Sequence, residues 1–221
     1  MAAYIKKYIY VIGGIIVLAV LFSSSIYLQN LMFGGIGAFQ EFALENPLLS
    51  ALSFVALAGL SVLIGPFSSV PLVPFALEAW GIVWTMLLIF IGWMIGDCVS
   101  YAIGRYAGKP TVSFFVGRER LERWISALAP RMKFSLLLLF RLAMPAETGY
   151  LFGLLAYDFW NYLLIVIIAE TPLVAIIVFA GDAFLVSDWF AFSALLLISV
   201  AGIALVFRVF TKRFKSFSDR M

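Results

Sequence analysis

The sequence predicts an all-α integral membrane protein, arranged as an inverted repeat in which each repeat is a re-entrant hairpin followed by a transmembrane helix. Three observations predict this fold: the apolar composition, two interrupted apolar stretches, and the distribution of basic residues among the loops. Of the 221 residues, 64% are hydrophobic and 12% are charged, with a mean hydropathy of +1.09. Soluble domains are about 45 to 50% apolar and about a quarter charged, so we expect the whole chain, 1–221, to form a single membrane domain.

Four apolar stretches are long enough to cross a bilayer. The hydrocarbon core is about 30 Å thick and requires about 20 apolar residues per helix. The stretches 8–28, 80–103, 162–180 and 189–210 meet this requirement, and the first and last are additional N- and C-terminal transmembrane helices. No small-residue cleavage site follows 8–28, which favours a retained helix over a signal peptide.

Two further apolar stretches, 51–65 and 134–156, are not simple spans. Prolines follow the first and break the hydrogen-bond ladder of a helix, and the second contains charged side chains, which are costly at membrane depth. Each stretch is therefore a candidate for a hairpin that turns back inside the membrane. The interrupting residues are Pro66, Pro71 and Pro74 after the first stretch, and Arg141, Pro145, Glu147, Gly149 and Gly153 in the second.

The basic residues determine the orientation of the spans. Lysine and arginine lie before the first helix, in the central loop and in the C-terminal tail, whereas the connections 29–50 and 181–188 contain neither. The positive-inside rule therefore places both termini and the central loop in the cytoplasm. With this orientation, the stretch 51–79 must return to the outer side and 134–157 must return to the cytoplasm.

The same topology divides the chain into two repeats. The first repeat, 51–104, has a hairpin that enters from outside, and the second, 134–181, has a hairpin that enters from the cytoplasm. A cytoplasmic amphipathic loop, 105–133, joins them, and within it 114–128 predicts an amphipathic helix at the membrane surface. A second surface helix, 38–45, is a candidate outside. Inverted repeats with broken helices are typical of transporters, and six ordinary spanning helices with kinks are the alternative.

Charged residues inside the apolar runs form the candidate site. Two opposed hairpin tips are expected to meet near the midplane around a polar cavity, because their free backbone groups need protein or water. Arg141 is either a ligand for a phosphate headgroup, which its planar fork fits, or an internal ion-pair partner of Glu147 or Glu170. The residues expected to face the cavity are Glu78, Asp97, Arg141, Glu147 and Glu170, with Arg105 at the cytoplasmic end of its helix.

Each acid has two open roles. Asp97, Tyr101 and Arg105 recur at every fourth residue and share one helix face, so Asp97 is either a proton-coupling or gating site or an arginine partner. Glu78 is either a protonatable gate or a cap for the following helix. Glu170 is either a proton carrier or a structural hydrogen-bond partner.

Glycine and aromatic residues have structural interpretations. Gly92, Gly96, Gly104 and Gly108 have helical spacing and predict close helix packing. Aromatic residues near the segment ends, Tyr162 among them, are predicted to be interface anchors.

The composition excludes several functions. The sequence has no histidine and a single cysteine, Cys98, so imidazole chemistry, disulfides and Cys-rich metal sites are excluded, and no cofactor is expected. No clustered acid pair or nucleophile supports an enzyme. A net charge of +3, scattered among apolar runs, gives no reason to expect nucleic acid and fits basic loops on anionic lipid.

A motif of glycine and charged residues ends the second span. Residues 96–108 fit Gly-Asp-x-x-x-Tyr-x-x-Gly-Arg-x-x-Gly, with Asp97, Tyr101 and Arg105 among the fixed positions. This motif resembles the DedA family, also called SNARE-associated or VTT-domain membrane proteins. The resemblance covers about residues 50–181 of the sequence.

A second segment is similar to the arginine-proline segment of the same family. Arg141 precedes Pro145 by four residues, where the family commonly has three, and Glu147 and Thr148 stand where a second positive charge is common. Arg141 is therefore matched to the family by its position before the proline.

The resemblance implies opposed re-entrant hairpins and lipid translocation. Bacterial DedA proteins move undecaprenyl phosphate or phospholipids between leaflets, and eukaryotic members scramble phospholipids. The expected function is thus that of a flippase or scramblase for a phosphate-bearing lipid in the cell (inner) membrane, with a proton-coupled transporter of a small ion or solute as the alternative. Protons are the expected coupling ion, and a homodimer is left open. The expected substrate-binding residues are Arg141, Arg105, Glu147 and Tyr101, and the expected proton-coupling residues are Asp97, Glu170 and Glu78.

Overall fold

The computed structural model describes residues 39–64, 68–129, 132–143 and 148–218. All regular structure in these ranges is helical, with no strand among them. A short helical segment, 39–45, precedes the longer helices, and a 3-10 turn, Val70–Leu72, precedes the second of them. The longer helices are α1 (Pro47–Leu63), α2 (Val73–Val116), α3 (Arg118–Leu128), α4 (Phe134–Ala143), α5 (Thr148–Leu154), α6 (Phe159–Leu185) and α7 (Trp189–Ser218).

Three stretches in the described ranges are long and apolar enough to cross a membrane, namely Val70–Val116, Phe159–Leu185 and Trp189–Phe210. They correspond to the predicted spans 80–103, 162–180 and 189–210, so the prediction of an all-helical membrane protein is confirmed. Large apolar side chains of α7, such as Leu197 and Val200, are exposed, as expected for side chains that face lipid. The predicted helix 8–28 lies outside the described residues.

Two glycines divide α2 into three helical segments. Gly81 has φ 73° and Gly108 has φ 75°, which are left-handed backbone conformations that glycine adopts without the steric cost of a Cβ. The middle segment, 82–107, is about 39 Å long at the usual helical rise, which is enough to cross the hydrocarbon core. Gly108 was predicted to allow helix packing; among the described residues a Cβ there would meet only Pro110, at 3.9 Å, so these residues form no close helix contact at Gly108.

The chain folds back after α1. The hydroxyl groups of Ser61 and Ser69 lie 3.1 Å apart, and the rings of Phe54 and Trp80 are in edge contact, with centroids 5.6 Å apart. The first segment of α2, 73–80, therefore returns along α1 before the break at Gly81.

α1 also lies parallel to the middle segment of α2, against its glycines. A Cβ on Gly92 would lie 2.6 Å from the Cβ of Ala58, and one on Gly96 would lie 2.8 Å from the Cβ of Val62. The packing positions increase together on both helices, which sets the parallel direction. Side chains larger than hydrogen do not fit here, so the predicted packing role of Gly92 and Gly96 is confirmed.

The chain folds back a second time between α4 and α5. The rings of Phe140 and Phe152 have centroids 6.4 Å apart, whereas in one continuous helix they would be separated by about 18 Å along the axis. α5 then packs along the middle segment of α2, where a Cβ on Gly104 would overlap the carbonyl oxygen of Tyr150. The packing role predicted for Gly104 is thus confirmed.

α3 is amphipathic but does not present its apolar face to the membrane surface. Leu121, Trp124 and Leu128 are buried in a cluster with Leu136 and Phe140 of α4. Burial of each such side chain contributes roughly 1.5 to 3 kcal/mol. The predicted helix 114–128 is also interrupted, because Gly117 has φ 88° and separates α2 from α3.

The predicted outer helix 38–45 is helical over 39–45 in the described residues and packs on the protein. Phe39 contacts Trp80 with ring centroids 5.6 Å apart, and the side-chain amide of Gln40 donates to the main-chain oxygen of Glu78 at 3.1 Å. The segment therefore covers the first part of α2.

We predict that Gly104→Ala destabilises the protein by about 1 to 3 kcal/mol, the usual cost of overpacking, because α5 must move away from α2. Gly202→Ala is the matched control, since no described atom lies within 4 Å of a Cβ there and alanine favours a helix over glycine by roughly 0.5 to 1 kcal/mol. Thermal unfolding of both variants in detergent measures the difference. Equal melting temperatures for the two variants would contradict the close packing of α2 and α5.

Candidate functional site

A buried ionic cluster joins three helices that are far apart in the sequence. The guanidinium group of Arg141 (α4) donates through Nη2 to Oδ2 of Asp97 (α2), at 2.7 Å, and to Oε1 of Glu170 (α6). The side chains of Arg141, Asp97 and Glu170 are 3%, 0% and 6% exposed. Charged groups are rarely buried so completely unless they are paired, so these three side chains depend on one another.

Asp97 uses both of its carboxylate oxygens. Oδ2 accepts from Arg141, and Oδ1 accepts from the hydroxyl group of Tyr162 at 2.9 Å. The same hydroxyl lies 3.1 Å from the main-chain oxygen of Asp97. This carboxylate therefore has a complete set of donors in the described part of the chain.

Glu170 is less completely bonded. Its Oε1 accepts from Arg141, whereas its buried Oε2 has no hydrogen-bond partner among the described residues. The carboxyl groups of Asp97 and Glu170 are also close enough to interact with each other. Two ionised carboxylates and one guanidinium leave a net charge of −1, and a single proton on either acid would make the cluster neutral.

Thr148 fixes the second side of the guanidinium group. Nη1 of Arg141 donates to the Thr148 hydroxyl at 3.0 Å, so the bond crosses from α4 to the start of α5. Thr148 stands where the resembled family commonly has a second positive charge. In this chain that position supplies an acceptor instead.

The structure therefore brings together Asp97, Arg141 and Glu170, as the sequence predicted. Arg141 is paired with Glu170, one of its two predicted ion-pair partners, and Asp97 is also an arginine partner. Glu147 lies outside the described residues. Glu78 is exposed and its Oε2 accepts from Gln40 at 3.3 Å, so it does not join the cluster.

Arg105 and Tyr101 lie in a separate place, an open cleft of about 710 Å³. One wall is a face of α2, and the other is the turn between α5 and α6. Burial and the neighbouring Asp158 carboxylate raise the pKa of Tyr157, in this turn, above its usual value of 10.0. The residues that line the cleft are Cys98, Tyr101, Ala102, Arg105, Tyr106, Ala156, Tyr157, Asp158 and Phe159.

Two residues of the cluster, Tyr162 and Thr148, were not predicted as site residues. Tyr162 was predicted to be an interface anchor, which is wrong, because it is fully buried and donates to Asp97. A helical spacing of eight residues places Tyr162 and Glu170 on one face of α6, and this spacing was the available signal.

The family model of the VTT domain matches residues 55–183, which is more than half of the chain and includes the whole ionic cluster. The chain belongs to the VTT-domain family. This is the domain of the DedA, or SNARE-associated, membrane proteins, so the resemblance found in the sequence is confirmed. No curated protein and no solved structure gives a significant match to the chain.

Membership in the VTT-domain family indicates a membrane protein of the transporter or lipid-flippase type. The family is generally transporter-like rather than enzymatic. In this VTT domain the buried ionic cluster and the open cleft both lie within the matched range, and both use residues of the middle segment of α2.

We predict that Glu170→Gln changes the stability by less than about 1 kcal/mol, whereas Asp97→Asn costs roughly 1 to 3 kcal/mol, as expected when a buried hydrogen-bonding group loses a partner. Glutamine keeps an oxygen for Arg141 and places its amide nitrogen where Oε2 now has no partner. Asparagine cannot accept at both of the positions where Asp97 accepts. Thermal unfolding in detergent compares the two, and an equal or larger loss for Glu170→Gln would contradict this description of the cluster.

Proposed function

We propose that this VTT-domain protein moves a phosphate-bearing lipid, undecaprenyl phosphate or a phospholipid, between the leaflets of the membrane, with Arg141 as the ligand of the headgroup. The observation that carries the proposal is the placement of Arg141. It is a permanently charged group, buried where the fold-back of α4 and α5 meets α6 and the middle segment of α2. Asp97, its partner there, lies about 22 Å from residue 82 and about 15 Å from residue 107 along that segment.

The chain directions support two re-entrant hairpins that enter from opposite faces, in the repeats 51–104 and 134–181. α1 lies parallel to the middle segment of α2 and reaches Gly96 near its own end, at Val62, so residues 64–80 must return to the starting side. α5 begins beside Ser100 and also runs parallel to α2, whereas α4 folds back on α5. The end of α1 and the start of α5 therefore lie near the level of Asp97.

A direct hydrogen bond supports a meeting of the two hairpins. The hydroxyl of Tyr150, in α5, donates to the main-chain oxygen of Leu63, at the end of α1, at 2.9 Å. This oxygen belongs to the last turn of a helix and has no partner within it. The lipid tail would remain in the bilayer, and the headgroup would pass between the hairpins.

The distribution of basic residues supports the orientation. Both termini and the loop 105–133 carry lysine and arginine, which favours a cytoplasmic location for them. The inner membrane of the cell is the proposed location.

In this conformation Arg141 is already neutralised, so a headgroup phosphate must replace a carboxylate. Glu170 is the acid that we propose to leave, because Arg141 is its one donor among the described residues, whereas Asp97 accepts from both Arg141 and Tyr162. A phosphate can accept two parallel bonds from a guanidinium group. The displaced acid would take up a proton, which assigns proton coupling to Glu170 first and Asp97 second; the coupling role of Glu78 stays a prediction.

One observation favours a second candidate function, proton-coupled transport of a small ion or solute. Two acids share one nitrogen of Arg141, and such a cluster can exchange a proton without any lipid. This function would be favoured by a solute flux driven by a pH gradient in vesicles whose lipid exchange is no faster than that of vesicles without the protein.

We predict that Arg141→Lys lowers the rate of leaflet exchange of a labelled phosphate lipid in vesicles by about tenfold or more, because lysine cannot form the paired bonds of a guanidinium group. Lysine keeps the positive charge, so the two acids remain compensated and the protein is expected to fold. The matched control is Arg118→Gln, an exposed arginine of α3 outside the site. Exchange at the wild-type rate by folded Arg141→Lys would overturn the role of Arg141.

A further inference from the structure

We propose that the open cleft at Arg105 is a separate binding site for the phosphate group of an amphiphile, and that the headgroup binds there first, before it reaches Arg141. The inference rests on the proposed function for its role and on the geometry of the cleft for the binding itself. It separates two arginines that the sequence placed in one substrate site.

The cleft and the cluster are distinct but adjacent. Arg105 lies two helical turns beyond Asp97, about 12 Å along the same helix, and it is exposed, whereas Arg141 is buried. The cleft is open to a ligand, whereas the cluster is closed.

Arg105 is the group that would hold an anion. No ion pair to it occurs in the described part of the chain. Asp158 lines the same cleft, but its Oδ1 accepts from the main-chain nitrogen of Asn161 at 2.9 Å and caps α6. One oxygen of this carboxylate is thus held at a helix N-terminus, and the carboxylate does not pair with Arg105 in the described part of the chain, so the guanidinium group is available to a ligand.

The remaining walls fit an amphiphile better than a free anion. Tyr106 and Phe159 contribute aromatic surface to the cleft, and aromatic side chains commonly lie where an apolar tail meets a polar headgroup. A phosphate on Arg105 would therefore have apolar surface beside it for the first carbons of a lipid.

Tyr101 lies between the cleft and the ionic cluster. Its ring stacks on that of Tyr162, with centroids 5.0 Å apart, and its hydroxyl donates to the main-chain oxygen of Tyr157 across the cleft. Tyr162 in turn donates to Asp97. Movement of Tyr101 would thus connect the cleft with the cluster, and it would release the partner that orients Tyr162.

Cys98 provides a reporter for the cleft. It is the single cysteine of the sequence, is partly exposed and lines the cleft, so its alkylation by a maleimide measures occupancy without an engineered label. The full-length protein in detergent is titrated with a short-chain phosphatidate, a short-chain diacylglycerol of the same tails, and inorganic phosphate.

We expect the phosphatidate to slow alkylation of Cys98, and the half-protecting concentration to rise about tenfold in Arg105→Gln, the usual effect of losing one charge-assisted hydrogen bond. Arg118→Gln, which removes a charge outside the cleft, should not change it. Arg141→Lys should also leave the half-protecting concentration unchanged, because Arg141 belongs to the buried ionic cluster and not to the cleft.

Equal protection by the diacylglycerol or by inorganic phosphate would overturn the assignment to a phosphate amphiphile. The role of Arg105 would be overturned if the half-protecting concentration for Arg105→Gln lay within a factor of about two of the wild-type value. A change of that size is well below the effect of losing one charge-assisted hydrogen bond. Protection that is lost in folded Arg141→Lys would mean one continuous site and would overturn the separation. If the phosphatidate protects Cys98 but the protein exchanges no lipid in vesicles, the proposed function is overturned and the binding site at Arg105 still holds.

Discussion

A permanently charged guanidinium group in an apolar interior is the constraint on which the rest of the structure depends. The effective cost of burying a charge is several kcal/mol unless partners surround it, so Arg141 can be buried only when Asp97 and Glu170 lie beside it. They come from α2 and α6, and the arginine comes from α4. Two arrangements satisfy this requirement. α4 folds back on α5, and α6 runs antiparallel to α2, from Tyr162 beside Asp97 to Gly181 beside Leu77.

Close helix packing makes that meeting geometrically feasible. α2 presents glycine to α1 at Gly92 and Gly96 and to α5 at Gly104, so both neighbouring elements approach its backbone along one helix. In a membrane, where lipid is as apolar as the protein surface, such close contacts replace the hydrophobic effect as the source of association. The same helix therefore supports the ionic cluster, the cleft and both fold-backs.

The sequence predicted the parts of this site whose signal is local. A charge inside an apolar run is visible without a structure, and Asp97, Arg141 and Glu170 were found in this way. The pairing of Arg141 with Asp97, 44 residues apart, depends on how two fold-backs are placed, which no local pattern encodes. Tyr162 was misassigned because proximity to a segment end is shared by interface anchors and by buried donors. The sequence correctly predicted that α3 is amphipathic. Composition does not distinguish an apolar face that packs on protein from one that packs on lipid.

The bond from Tyr150 to the main-chain oxygen of Leu63 has a consequence for biosynthesis. In the proposed topology the last turn of α1 ends inside the membrane, where a carbonyl without a donor is costly, and the donor belongs to a residue that the ribosome adds 87 positions later. In that topology the main-chain oxygen of Leu63 lacks this donor when the N-terminal half of the chain first enters the bilayer. The final settling of that half must wait for the second half, which makes insertion of this protein a sequential assembly of two mutually dependent parts.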